Sequence, residues 1–336
     1  MEQPRISIGM TTYDRTELLR ESVLSILNQS YENFELIISN DNPSRKLTKK
    51  NLILPNDSRV SIINQEDNLG ELANLNWLMN YSQGKYFTWL ADDDLLHPEY
   101  LEVMINELRS NDHLPAVFSN YMHGSVPSEK FYAPVVAAPI TLKSENFLQL
   151  YSARKLSLIG SYGLFKIEEL RRIGGFRKLG KGFSPASDTL IPLLIASEFD
   201  IRYIDSPIVF LRTHQASVSS SSTDLNAYIS AELDFLLILR TVVSKFPKKL
   251  GNQVIENFRE WFTENHLAVI YRNTNLSKPL KLTRYFRTEL NNNYNLTNKY
   301  NFPFVSTNLL YKSIKLLVIR IVQESWVYKL AHWMRD

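Results

Sequence analysis

Short apolar runs and segments with helical spacing alternate along the first third of the chain. Apolar runs with the length of buried β-strands occupy residues 6–10, 34–39, 60–63 and 85–90. Helical spacing of apolar residues predicts helices over 16–29 and 70–81, and a third helix from Pro98, because proline suits the first helical turn. Strands that alternate with helices predict right-handed βαβ units, and therefore a mostly parallel α/β sheet flanked by helices.

The pattern changes after residue 121. Prolines at 127, 134 and 139 interrupt it, which predicts a loop with short edge strands. The later predicted elements are helices at 166–173 and 184–197, a short strand at 201–204, a serine-rich link at 217–223, and helices at 228–243, 252–271 and 309–334. We therefore predict a catalytic sheet domain over 1–220 and a helical C-terminal region over 221–336.

Polar residues follow each of the first four predicted strands. They are Thr11 to Arg15, Asn40 to Asn42, Asp67 and Asn68, and the run Asp92-Asp93-Asp94. In a parallel sheet, ligands bind beyond the carboxyl ends of the strands. The pattern therefore predicts a ligand site at this edge of the sheet.

The run Asp92-Asp93-Asp94 is the strongest chemical signal in the chain. Adjacent carboxylates in an apolar context repel one another unless a cation neutralises them. Mg²⁺ and Mn²⁺ prefer oxygen ligands and often share them with substrate phosphates. Short acidic runs also occur in solvated loops and as helix caps, so the residue types leave both interpretations open.

Composition narrows the classes of protein. The 336 residues carry a net charge of +3 without a long basic run, and we expect no nucleic-acid partner. There is no cysteine, which excludes disulfides and thiolate chemistry. The N-terminus lacks the apolar stretch of a signal peptide, and no uncharged run approaches the ~20 residues of a spanning helix. We expect a cytoplasmic protein.

Several short motifs occur in the order found in the family 2 glycosyltransferases, which the chain resembles from Arg5 to Ser219. The motifs are Thr11-Thr12-Tyr13-Asp14-Arg15, Gln29-Ser30-Tyr31, Asn40-Asp41, Asn68-Leu69-Gly70, Asp92-Asp93-Asp94, Gly174-Gly175-Phe176, Ser187-Asp188 and Arg212-Thr213-His214. Each motif alone is weak, but the ordered set is specific. The resemblance implies a GT-A fold, a nucleotide-sugar donor (UDP or dTDP) and inverting transfer that depends on Mn²⁺ or Mg²⁺.

The resemblance also implies roles for single residues. Asp188 would be the general base. The donor contacts would be Thr11, Tyr13, Arg15, Asp41, Asn68, Asp92 and Arg212, and the metal ligands would be Asp93, Asp94 and His214. From local sequence alone, Asp188 is equally well explained as a helix cap and His214 as a structural histidine.

The chain departs from the family pattern at three positions. Ala91 occupies the first position of the usual DXD motif, so either Asp92 with Asp94 or another pair of these aspartates holds the ion. Ser187 replaces the usual glutamate before the base, and Leu75 replaces an arginine that often follows the Asn-x-Gly loop. These departures keep a non-catalytic nucleotide- or polysaccharide-binding relative among the alternatives.

A second alternative is a nucleotidyltransferase, although the turn from Thr11 to Arg15 lacks the glycines that usually hold a triphosphate.

The acceptor that the resemblance implies is a glycan or a lipid-linked glycan. The predicted C-terminal helix carries basic residues with Trp326 and Trp333, which favours either packing on the domain or peripheral contact with the inner face of the plasma membrane.

Overall fold

The computed structural model describes residues 6–136, 139–182, 184–214, 222 and 224–274. Nine strands lie within these residues: β1 Ile6–Thr12, β2 Phe34–Asn40, β3 Val60–Asn64, β4 Tyr86–Trp89, β5 Leu95–Leu96, β6 Ala116–Gly124, β7 Pro139–Leu142, β8 Leu164–Lys166 and β9 Ile201–Arg212. Eight α-helices lie within them too: α1 Thr16–Leu27, α2 Glu71–Tyr81, α3 Tyr100–Ser110, α4 Ser144–Ser152, α5 Ile167–Ile173, α6 Ser187–Ala196, α7 Leu225–Val243 and α8 Lys248–Thr274.

All nine strands form one sheet. Its order is β3-β2-β1-β4-β8-β6-β9-β5, and β7 pairs with β9. The first four strands along the chain are parallel neighbours, as predicted from the alternation of strands and helices. The other half is mixed, because β8 runs antiparallel to β4 and β6, and β5 and β7 run antiparallel to β9.

The middle of the chain differs most from the sequence prediction. Residues 116–124 form a nine-residue strand beside β9, and β9 extends to Arg212, eight residues beyond the predicted end at 204. Two interruptions hid these strands. The β6–β9 pairing shifts register around Asn120, and Pro207 lies inside β9. Both features break the regular alternation that indicates a strand.

The sheet is covered on both faces. On one face, Ile8 and Leu36 pack with residues of α1 and α3 such as Val23 and Met104. On the opposite face, Phe87 and Trp89 of β4 pack with Phe165 and with buried residues of α6 and α7. Because successive residues of a strand point to opposite faces, β4 contributes Tyr86 to one core and Phe87 to the other.

The C-terminal helices α7 and α8 belong to the same core as the second face of the sheet. Phe235 of α7 lies 5.0 Å from Phe258 and 5.2 Å from Phe262 of α8, measured between ring centroids. Within the residues that the structure describes, no helix has the length and apolarity needed to span a bilayer. The predicted link at 217–223, except residue 222, and the predicted helix at 309–334 lie outside the described residues.

A buried carboxyl between α7 and α8 predicts a pH-dependent stability. Burial raises the pKa of Glu232 to about 7, opposed by the charge of Arg259. The protonated form is thus favoured in the folded state, and stability is lost as pH rises from the unfolded pKa toward 7. We expect Glu232→Gln to be more stable than the wild type at pH 8 by about 1–3 kcal/mol and equally stable near pH 4. Thermal unfolding at pH 4 and pH 8 measures the difference in stability between the variant and the wild type, and the exposed Glu145→Gln is the control. An equal difference at both pH values would contradict the prediction.

Candidate functional site

The carboxyl ends of β1, β2 and β4 meet at one edge of the sheet. β1 lies between the other two, with Thr12 opposite Asn40 of β2 and Gly9 opposite Trp89 of β4. The chain leaving β4 turns back over the end of β1, where the Thr12 hydroxyl donates to Asp92 Oδ2 at 2.7 Å. This hydrogen bond places the acidic run beside the turn that follows β1.

The three aspartates face three different environments. Asp92 is buried and accepts hydrogen bonds from Thr12 and Arg15. Burial raises its pKa, and these two hydrogen bonds oppose the shift. Asp92 is therefore held inside the site, next to the guanidinium of Arg15.

Asp93 is the most accessible of the three. Its Oδ2 atom lies 2.8 Å from Nη1 of Arg15 and 2.9 Å from Nε2 of His214. Its side chain is 14% exposed and that of His214 is 20% exposed, so both groups face the open edge of the sheet. Residues that are 121 positions apart in the chain thus share one polar contact.

Asp94 points into the protein. It accepts a short hydrogen bond from the Tyr162 hydroxyl and a 2.8 Å hydrogen bond from the backbone N–H of Arg212. Burial, together with the charge of Asp93, raises its pKa to about 7. The carboxyl of Asp94 therefore connects β9 and the segment before β8 to the acidic run.

Asp188 lies in the first turn of α6. The helix begins directly after Ala186, a non-glycine residue with φ of 70°. Burial raises the pKa of Asp188, while hydrogen bonds from Thr189 and from the backbone of Asp188 itself lower it by a smaller amount. Desolvation by the surrounding protein and then the charge of Asp188 raise the pKa values of Glu71 and Tyr151, so both side chains lie within its electrostatic field.

Gly160 allows the close approach of the chain to Asp188. A Cβ atom at position 160 would lie 1.8 Å from the carbonyl oxygen of Asp188, far inside any non-bonded contact. We expect Gly160→Ala to destabilise the fold by about 1–3 kcal/mol and to displace the first turn of α6. Chemical denaturation measures the loss. Gly124→Ala is the control, since its Cβ would lie 3.4 Å from Phe210. Equal stability of the two variants would contradict the expected strain.

Asp41 holds a loop in the structure. Its two carboxylate oxygens each accept a 2.9 Å hydrogen bond, one from the backbone N–H of Leu69 and the other from that of Gly70. The side chain of Asn68 also accepts from Gly70, at 2.9 Å. The residues predicted to contact the donor thus fasten the loop that precedes α2.

The remaining predicted donor contacts lie around the same edge. Thr11 is half-buried at the end of β1, and Tyr13 is 53% exposed. The guanidinium of Arg212, which was predicted to contact the diphosphate, lies 2.7 Å from Glu21 of α1. The described structure therefore brings Thr11, Tyr13 and Arg15 to the open edge, while the Arg212 side chain is paired with a helix.

Two of the departures from the family pattern have structural roles. The hydroxyl of Ser187 donates to the Arg177 carbonyl at 2.8 Å and fastens the segment before Asp188. The side chain of Leu75 packs against the core that contains Trp89, and α2 is further fixed on the end of β4 by the indole of Trp89, which donates to the Leu75 carbonyl at 3.0 Å. Tyr162, Gly160 and Glu71 were missed from sequence, because only the folded chain brings them to the acidic run and Asp188.

Two side chains at this edge suit a divalent ion. Asp93 offers a carboxylate oxygen and His214 an imidazole nitrogen, both accessible and both suited to Mn²⁺. Among the described residues, no group of three or more His, Cys, Asp or Glu side chains is arranged to hold a metal by itself. Such a pair fits an ion whose remaining ligands are water and the phosphates of a bound nucleotide.

The chain is similar to known glycosyltransferases. A sequence model of the family described as "Glycosyl transferase family 2" matches residues 7–164. The putative colanic acid biosynthesis glycosyl transferase WcaA of Escherichia coli is 30% identical over 154 residues, which cover 46% of this chain and 54% of that protein. The chain spans only 36% to 48% of the length of three uncharacterized glycosyltransferases that it matches at 35% to 37% identity.

Solved structures show the fold. TarS 1-349 of S. aureus, in complex with UDP-GlcNAc, superposes with a TM-score of 0.54 at 15% identity, over 79% of this chain and 73% of that chain. The mannosyltransferase PcManGT of Pyrobaculum calidifontis, in complex with GDP-Man and Mn²⁺, superposes with a TM-score of 0.50 at 13% identity, over 97% and 88%. Residues 7–164 thus resemble glycosyl transferase family 2, and the sheet has the GT-A fold.

Proposed function

We propose that this protein is an inverting glycosyltransferase. It moves a sugar from a nucleoside-diphosphate sugar, a UDP- or dTDP-sugar, to a hydroxyl of a glycan or lipid-linked acceptor. The observation that carries the proposal is the contact of Asp93 with both Arg15 and His214 at the open edge of the sheet. The curated relatives named as glycosyltransferases support the reaction class.

Asp188 acts as the general base. Inverting transfer needs a group that takes the proton of the acceptor hydroxyl as its oxygen attacks the anomeric carbon, and the bond to the diphosphate then breaks. The raised pKa of Asp188 makes it a stronger base than an ordinary aspartate. The proton passes to its carboxylate, the diphosphate leaves from the opposite side, and no second nucleophile is needed.

The diphosphate end of the donor lies at Arg15 and Asp93. Arg15 supplies a fixed positive charge, and Asp93 with His214 would hold the divalent ion; the ion, when bound, stabilises the negative charge of the leaving diphosphate. Asp94 was predicted as a further ligand, but its carboxyl already accepts from Tyr162 and Arg212. We therefore assign Asp94 to the support of the site.

The nucleoside end lies over the turn after β1. The exposed ring of Tyr13 offers a face on which a base can stack, and Thr11 lies beside it. Asp41 and Asn68 act here through the loop that they hold. Arg212 contributes by placing the end of β9, and with it His214.

The acceptor and the membrane contact are inferred from a relative and from the C-terminal sequence. The relative WcaA is named for colanic acid biosynthesis, which supports a polysaccharide or lipid-linked acceptor for this chain as well. We infer that the C-terminal region beyond α8 contacts such an acceptor, or the membrane surface that carries it, because its predicted helix is amphipathic and basic.

A donor assay with the full chain tests the proposal. Purified protein is incubated with UDP-, dTDP- and GDP-sugars, with Mn²⁺ or EDTA, and release of the nucleoside diphosphate is measured. We expect slow release from one nucleotide class that requires the metal. Binding without turnover across a panel of glycan acceptors would favour the non-catalytic relative. Release of pyrophosphate from nucleoside triphosphates with sugar phosphates would favour the nucleotidyltransferase.

A further inference from the structure

One carboxylate of this edge has no role in the mechanism above. Glu71 is the first residue of α2 and directly follows the loop that Asp41 holds through the amides of Leu69 and Gly70. Its side chain is exposed, and no hydrogen bond or ion pair is found for it among the described residues. It is therefore an accessible acceptor group on a fixed piece of backbone.

The packing of α2 directs this residue toward the site. Leu75 lies one helical turn after Glu71 on the same face, and its side chain packs against the core that contains Trp89 of β4. One turn of α2 thus rests on the strand that leads into Asp92. Asn74, fully buried, hydrogen-bonds the Ser39 hydroxyl of β2 at 2.6 Å and fixes the rotation of the helix.

The charges of the site act on Glu71. Desolvation by the surrounding protein raises its pKa, the charges of Asp188, Asp92 and Asp93 raise it further, and Arg15 opposes them. These charges agree with the position of Glu71 after the loop that Asp41 holds at the same edge of the sheet. In the reaction proposed above, the transferred sugar lies at this edge, next to the diphosphate.

We propose that the Glu71 carboxylate accepts hydrogen bonds from hydroxyl groups of the transferred sugar and so determines which donor sugar is accepted. This inference rests on the proposed glycosyltransferase function. A carboxylate accepts from two hydroxyls at once, and a site built to bind a hydroxyl rejects sugars that lack it or present it in the other configuration. Glu71 is thus a specificity residue, distinct from the base Asp188.

The test compares each nucleotide with its own sugar conjugate. Dissociation constants in Mn²⁺ are measured for UDP, dTDP and GDP and for their hexose conjugates, in the wild type, Glu71→Gln and Glu71→Ala. We expect nucleotide affinity to stay within about threefold, while the preferred conjugate binds about tenfold to a hundredfold more weakly to Glu71→Ala. A conjugate deoxygenated at the contacted hydroxyl should bind equally to the wild type and the variant.

Glu145→Gln is the matched control, since Glu145 is also an exposed glutamate in the first turn of a helix. An acid that only stabilises its helix would change the melting temperature of both variants alike and leave the affinity for the sugar unchanged. The inference is wrong if the wild type binds no sugar conjugate more tightly than the nucleotide alone. It is also wrong if the Glu71 variants prefer the conjugate over the nucleotide as strongly as the wild type does. If the wild type binds no nucleotide, the proposed function itself fails.

Discussion

Asp188→Asn is expected to lower kcat for sugar transfer by about 10²–10⁴-fold, the usual contribution of a positioned general base. The amide has the size of the carboxyl but cannot take the proton of the acceptor hydroxyl. Donor binding should persist, because the Arg15 and Asp93 contacts proposed for the diphosphate do not involve Asp188. Steady-state kinetics with acceptor, together with titration of the donor, separate the two effects.

The pH profile adds a second readout for the same residue. The base is active when ionised, and burial raises the pKa of Asp188 above that of an ordinary aspartate. Transfer by the wild type should therefore rise with pH through this raised pKa and level off above it. Asp112→Asn, at an exposed position on α3's C-terminal side, is the control. Unchanged kcat in Asp188→Asn would remove this residue from the mechanism.

Loss of the metal site is expected to have the next largest effect. Asp93→Ala and His214→Ala should each lower kcat by about 10²–10³-fold, because a Lewis acid at a leaving diphosphate contributes several kcal/mol. The physical basis is the 2.9 Å contact between Asp93 Oδ2 and His214 Nε2, which brings an oxygen and a nitrogen donor to one point. Titration with Mn²⁺ in the presence of nucleoside diphosphate measures the affinity directly.

Asp94→Asn tests whether Asp94 is a ligand of the metal or a support of the site. If Asp94 supports the site through Tyr162 and Arg212, an asparagine preserves the acceptor for the Arg212 amide, and Mn²⁺ affinity should stay near that of the wild type. If Asp94 is a ligand, its loss should equal that of Asp93. Retained Mn²⁺ affinity in Asp93→Ala would overturn the assignment of Asp93.

The local patterns predicted the parallel half of the sheet well because each signal there is short-range. β1, β2, β3 and β4 are continuous apolar runs, and the helices between them repeat at helical spacing. β6 escaped prediction because its partners in β9 are 85 to 88 residues away, and its pairing includes a register shift near Asn120. Pairing of that kind depends on long-range contacts that no local window contains.

The amino-acid sequence by itself determined the fold class and predicted the edge of the sheet at which the aspartates and the histidine meet, because strand alternation and the ordered motifs can be read along the chain. Only the tertiary structure decided the orientation of each group. It turned Asp94 inward to Tyr162, paired the side chain of Arg212 with Glu21, and joined Asp93 to His214. The physical reason is that a hydrogen-bond partner depends on which distant elements pack together. The same packing of α2 on β4 brought Glu71 to the edge of the sheet that carries the acidic run.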